Sequence, residues 1–187
     1  MNLPNKLTIA RLFMIPIFVT LMFVQGIDNT LQRLLVAGLF FLTGLTDYVD
    51  GYIARKHNLV TNFGKFLDPL ADKVMIMGAL LGLMVMARDE TATILIIATM
   101  ALVTMFRETL VSGLRMLVSG DTVIAADKMG KLKTITQFTF VLVALIEPIF
   151  FEHRFGTYIL AGLTVYMVVH SGMNYFIKYK GYINPNK

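Results

Sequence analysis

The chain has 187 residues, is 56% hydrophobic and carries a formal net charge of +5. A mean hydropathy of +0.68 exceeds what a soluble domain of this length can bury, so composition points to a membrane protein. There is no Cys, which excludes a disulfide framework and any thiolate metal site. The basic excess lies between apolar runs, a pattern that suits anionic lipid headgroups and not nucleic acid.

Residues 2–5, with Pro4, are expected to form a short interfacial lead-in. No small-residue cleavage site follows a short apolar core there, so the N-terminus is expected to be the mature start and not a signal peptide. Apolar runs then predict spans over 7–25, 34–53, 66–87, 91–106, 132–151 and 155–177, with Pro69 a candidate kink in the third. The fourth is expected to continue as a helix past Arg107 and Glu108 toward Val118 and to end at Ser119, Gly120 and Asp121. Glu147 and Pro148 mark the outer end of the fifth. Each run approaches the ~20 residues that cross ~30 Å of hydrocarbon at ~1.5 Å per residue. None alternates as barrel strands would, and only helices satisfy their own backbone in lipid. The expected fold is therefore all-α, one integral membrane domain over 1–187 with six transmembrane helices.

Six spans put both termini on one side of the membrane. That side holds all but Arg33, Arg88 and Arg154 of the 17 Lys and Arg residues. The positive-inside rule places it in the cytoplasm. The chain is then a multi-pass protein of the cell membrane with both termini cytoplasmic.

Asp47, Asp50, Asp68 and Asp72 stand near the cytoplasmic ends of the second and third spans. An ionisable group at membrane depth costs roughly 2.5–3.5 kcal/mol on insertion scales. Snorkelling to the interface explains Lys and Arg, but an Asp carboxylate is too close to the backbone for it. Asp47 and Asp50 share a helix face beside Gly51 and Ala54; Asp68 and Asp72 share another, with Gly64 one turn earlier. Four desolvated carboxylates repel, and divalent cations relieve the repulsion. An all-oxygen set suits Mg²⁺ or Mn²⁺ better than Zn²⁺, and four carboxylates favour two ions.

Asp47, Asp50, Gly51, Ala54, Arg55, Gly64, Asp68 and Asp72 fall at the spacing D-x2-D-G-x2-A-R-x8-G-x3-D-x3-D. This resembles the signature of the CDP-alcohol phosphotransferase family, and every fixed position matches. The resemblance covers the whole chain and implies six membrane helices, a cytoplasm-facing site and a homodimer. It also implies that the four aspartates hold divalent metal and that Asp72 doubles as general base. Gly51 and Arg55 look like the family's CDP contacts, with Ala54 beside them, and Thr61 like a further donor-binding position. Asn5 and Thr8 resemble a nucleotide-contacting lead-in; the alternative is an ordinary N-cap of the first span.

The acceptor is read from a second basic cluster. Arg107 and Arg115 stand about two turns apart, followed by Lys128, Lys131, Lys133, Thr134 and Gln137. The order resembles the phosphatidylglycerophosphate synthase branch of the family. A dianion such as glycerol 3-phosphate needs several cations, which makes Arg107, Arg115, Lys131 and Lys133 the candidate phosphate-binding residues. The alternative is a basic loop touching anionic lipid. The expected reaction moves the phosphatidyl group of CDP-diacylglycerol to glycerol 3-phosphate and releases CMP. Within the family, a cardiolipin synthase or a phosphatidylinositol phosphate synthase are the other readings; outside it, intramembrane carboxylates could form a divalent-cation transport path. His57 is expected to face solvent, His170 and Asn174 to bond between helices, and Tyr175, Tyr179 and Tyr182 to form an interfacial belt.

Overall fold

The computed structural model describes residues 2–57, 61–118 and 128–180. Six helices follow in chain order: α1 (Leu3–Phe23), α2 (Asn29–Lys56), α3 (Asn62–Met86), α4 (Thr91–Val118), α5 (Lys128–Phe150) and α6 (Phe155–Tyr179). All six are long and apolar enough to cross a membrane, and no strand occurs among the described residues. The lead-in at 2–5 is the first turn of α1. Pro4 sits there at a position whose N–H has no intrahelical partner, so its missing donor costs nothing. Pro69 lies inside α3 without interrupting it, and α4 runs to Val118 as the sequence predicts. Residues 119–121, the expected end of that helix, lie outside the described residues.

Turns at the end of the bundle away from the aspartates are tied by side chains. Gly26, at φ +88°, adopts the left-handed conformation that favours glycine between α1 and α2. Asp28 accepts a 3.0 Å hydrogen bond from the Leu31 amide and caps α2. Gln32 donates to the carbonyls of Leu21 and Val24 at 2.7 and 2.9 Å, satisfying the end of α1. Glu147, at the end of α5, accepts from the Gly156 and Thr157 amides at 2.6 and 2.7 Å and so caps α6. Arg154 bonds Glu90 at 2.5 Å, and Thr93 adds a 2.8 Å bond to the same carboxylate. Burial alone would raise the Glu90 carboxyl, but the Arg154 and Thr93 hydrogen bonds outweigh it and hold the group below the usual carboxylate range.

The core is aromatic and close-packed. Phe40 stacks on Phe138 at 4.8 Å and meets Phe18 edge-on at 5.7 Å. Gly44 lets α2 approach that stack, since a Cβ there would run into the Phe138 ring. Gly44→Ala is therefore expected to destabilise the bundle by about 1–3 kcal/mol, read as a lower Tm in detergent. Gly78 and Gly82 do the same for α1 on α3: a Cβ on Gly78 would lie 2.8 Å from Val19, and one on Gly82 would collide with Met22. Outward faces stay apolar, with Phe13, Phe106 and Ile159 about 70% exposed, as lipid-facing positions should be.

Two expectations for α6 are corrected. Tyr175 and Tyr179 are buried and stacked on each other, so they pack within the bundle and do not form an interfacial belt. Tyr182 lies outside the described residues. Asn174 pairs with His170 at 3.3 Å within one helix, because residues four apart share a face; among the described residues the expected interhelical bond is not formed. His57 is exposed, as predicted.

Candidate active site

The close packing of α1 on α2 and α3 brings one polar face of α1 into the acidic region. Asn5, Thr8 and Arg11 recur every three residues on that face, and all three are buried. Neither Asn5 nor Thr8 caps α1: the N-cap position is Asn2. Thr61 Oγ1 donates to Asn5 Oδ1 at 2.9 Å while accepting from the Gly64 amide at 3.0 Å, which caps α3. Thr8 Oγ1 donates to Asp68 Oδ1 at 2.9 Å. Gly64 brings α3 close to these side chains, since a Cβ there would lie 3.3 Å from both Asn5 Oδ1 and Thr61 Oγ1.

Arg11 joins the other three aspartates. Its guanidinium bonds Asp50 Oδ2 at 2.5 Å and stands 2.7 Å from Asp47 Oδ1 and 3.5 Å from Asp72 Oδ1. The Arg11 side chain is fully buried, which this ring of carboxylates makes tolerable. The four carboxylates thus meet through α1 and not by direct contact of two acidic faces. Sequence reasoning counted Arg11 only as cytoplasmic charge. Its signal was a cation set several residues into an apolar span.

Among the described residues, no three acidic or His side chains converge on one point, because the guanidinium stands between Asp47, Asp50 and Asp72. The donor set is nevertheless all carboxylate oxygen. Asp47 and Asp72 keep 42% and 40% of their side chains exposed, so a hard dication can reach both. The residues fit Mg²⁺ or Mn²⁺ on these grounds. Gly51 and Ala54 lie half-buried on α2 beside Asp50. The Arg55 side chain lies outside those described.

Asp72 also lines a cavity of about 1020 Å³ that reaches between α1, α3, α4 and α5. Its polar end holds Lys73, Arg107, Glu108, Lys131 and Lys133; Pro16, Val19 and Met77 form an apolar flank. Arg107 donates to Ser171 Oγ at 2.6 Å and to Glu108 Oε1 at 2.8 Å, with its guanidinium over the Tyr175 ring. Lys133 bonds the same Glu108 oxygen at 2.5 Å. Lys73 bonds Ser112 at 2.7 Å. Gln137, at the cavity wall, donates to Thr104 at 2.8 Å. Three of the four predicted acceptor residues thus share one cavity with Asp72. The side chain of the fourth, Arg115, lies outside those described. Lys73 and Glu108 were missed as site residues; each stands next in sequence to a predicted one, Asp72 and Arg107.

Residues 1–170 match the family model described as CDP-alcohol phosphatidyltransferase. The chain belongs to that family. A relative from Bacillus subtilis named CDP-diacylglycerol–glycerol-3-phosphate 3-phosphatidyltransferase is 41% identical over 190 residues, covering 95% of this chain and 94% of that protein. One of the same name from Rickettsia typhi is 39% identical, covering 97% and 98%. A third, from Haemophilus influenzae, is 39% identical over 73% of this chain and 71% of its own length. In this phosphatidyltransferase the carboxylate cluster and the cation-lined cavity meet at Asp72.

Proposed function

We propose that this phosphatidyltransferase transfers the phosphatidyl group of CDP-diacylglycerol to glycerol 3-phosphate, giving phosphatidylglycerophosphate and CMP. The observation that carries the reading is one cavity lined by Asp72 together with Arg107, Lys131 and Lys133. Glycerol 3-phosphate offers a hydroxyl to the first and a dianion to the other three. The names of the relatives agree.

Asp47, Asp50, Asp68 and Asp72 would hold Mg²⁺ or Mn²⁺, in our reading two ions. When bound, the metal neutralises the diphosphate and so lowers its repulsion of an incoming oxygen. The chain's own residues do the rest. Asn5, Thr8, Gly51, Ala54, Arg55 and Thr61 bind the CDP-lipid, with the small residues letting the nucleotide lie against α2. Arg107, Arg115, Lys131 and Lys133 hold the acceptor phosphate and turn its primary hydroxyl toward Asp72. Asp72 takes the hydroxyl proton as the oxygen bonds to the phosphatidyl phosphorus. The bond from that phosphorus to the CMP oxygen breaks, and CMP leaves with the electron pair. The basic end of the bundle faces the cytoplasm, where soluble glycerol 3-phosphate is available. The working unit is a homodimer in the cell membrane.

Release of CMP by purified protein, measured with an acceptor panel, tests the reading. Glycerol 3-phosphate is expected to support turnover, and chelation of divalent ions to abolish it. Preference for inositol phosphate, phosphatidylglycerol or serine would overturn the acceptor assignment; no CMP release with any acceptor would favour a transport path.

A further inference from the structure

A carboxylate inside a phosphate-binding cavity needs a reason, since it repels the ligand the cations attract. Glu108 is such a group: it lines the cavity with Asp72, and its side chain is 19% exposed. Its two oxygens differ. Oε1 accepts from both Arg107, at 2.8 Å, and Lys133, at 2.5 Å. Oε2 has Lys73 Nζ at 4.0 Å, beyond hydrogen-bond length, and no closer donor among the described residues. One oxygen is held by two cations at hydrogen-bond distance, and the other, with Lys73 only at ion-pair distance, is free to accept from a ligand in the cavity.

The position of that second oxygen matters. Lys73 follows Asp72 on α3, whereas Arg107 and Lys133 come from α4 and α5. Glu108 therefore bridges the Asp72 side of the cavity and the cation side. A glycerol 3-phosphate with its phosphate on the cations and its primary hydroxyl at Asp72 would run its carbon chain through the cavity that Glu108 lines. The group in the middle of that chain is the secondary hydroxyl, a donor that Oε2 can accept from.

We infer that Glu108 is a specificity-determining residue: Oε2 accepts a hydrogen bond from the acceptor's middle hydroxyl, while Oε1 holds Arg107 and Lys133 ready for its phosphate. The acceptor site then recognises a vicinal hydroxy-phosphate and not merely any phosphorylated alcohol. The inference rests on the acceptor reading proposed above.

The probe is 3-hydroxypropyl phosphate, which keeps the phosphate and the primary hydroxyl but lacks the middle one. Wild-type protein is expected to prefer glycerol 3-phosphate over it by ~10- to 100-fold in kcat/KM, the range for one hydrogen bond to a charged group. Glu108→Gln, checked by Tm in detergent, is expected to lower that ratio by roughly tenfold or more, because the charged acceptor is gone. A purely structural role would lower both substrates by one factor and leave the ratio unchanged; that result overturns the inference. If Glu108→Gln does not accumulate, Glu108→Asp carries the same comparison: a lowered ratio supports the inference and a wild-type ratio overturns it. Failure of wild-type protein to use glycerol 3-phosphate would instead remove the acceptor reading beneath it.

Discussion

Asp72→Asn is expected to lower kcat for CMP release by at least ~10³-fold while leaving a folded protein. A positioned general base contributes ~10²- to 10⁴-fold. The same substitution also removes one carboxylate charge from the proposed metal set, so the loss belongs at the upper part of that range or beyond. The fold should tolerate the change. The Asp72 side chain is 40% exposed, and its 3.5 Å approach to Arg11 is the longest of the three that the guanidinium makes. Asp50→Asn provides the contrast. That carboxylate is only 4% exposed and bonds Arg11 at 2.5 Å, so its loss should lower stability as well as activity. Measuring Tm beside turnover separates the two. Near-normal CMP release by Asp72→Asn would remove Asp72 from the role of base.

Much of this arrangement was legible in the sequence, for identifiable reasons. The six helices follow from apolar run lengths, and α4 reaches Val118 because Arg107 and Glu108 interrupt the apolar run without supplying a helix stop. The aspartates stood out because a short carboxylate in an apolar span has no inexpensive structural explanation. Arg107, Lys131 and Lys133 stood out by resemblance to a family branch, with which the charge need of a dianion agrees, and they do share one cavity with Asp72. What sequence reasoning missed depends on pairing between distant helices. The spacing of Asp47 and Asp50 defines a face, but nothing local says that Arg11 of α1 will fill the space before it. Tyr175 suggested an interfacial position by residue type, yet packing under the Arg107 guanidinium buries it. Glu108 was passed over because a lone acid among cations looks like ordinary charge balance; only the unequal surroundings of its two oxygens give it a role.

Arg11→Met should produce the largest loss of stability of any single substitution in the acidic region. The guanidinium is fully buried, and removing it strands the Asp50 carboxylate without its partner. Breaking a buried pair in this way costs about 3–5 kcal/mol. Asp47 and Asp72 add less, since each is about two-fifths exposed and water screens much of their charge. Arg11→Lys keeps a positive charge but loses the fork that reaches several carboxylates at once, so its Tm should fall between those of wild type and Arg11→Met. Saturating Mn²⁺ supplies a second test on the same samples. A dication bound by these carboxylates replaces the charge that Met removes, so the metal should raise the Tm of Arg11→Met by more than it raises that of wild type. An Arg11→Met protein that melts with wild type in chelator would show that the guanidinium is not the group that holds Asp47, Asp50 and Asp72 together. An equal Mn²⁺ shift in both proteins would show that cation and guanidinium do not act on the same carboxylates.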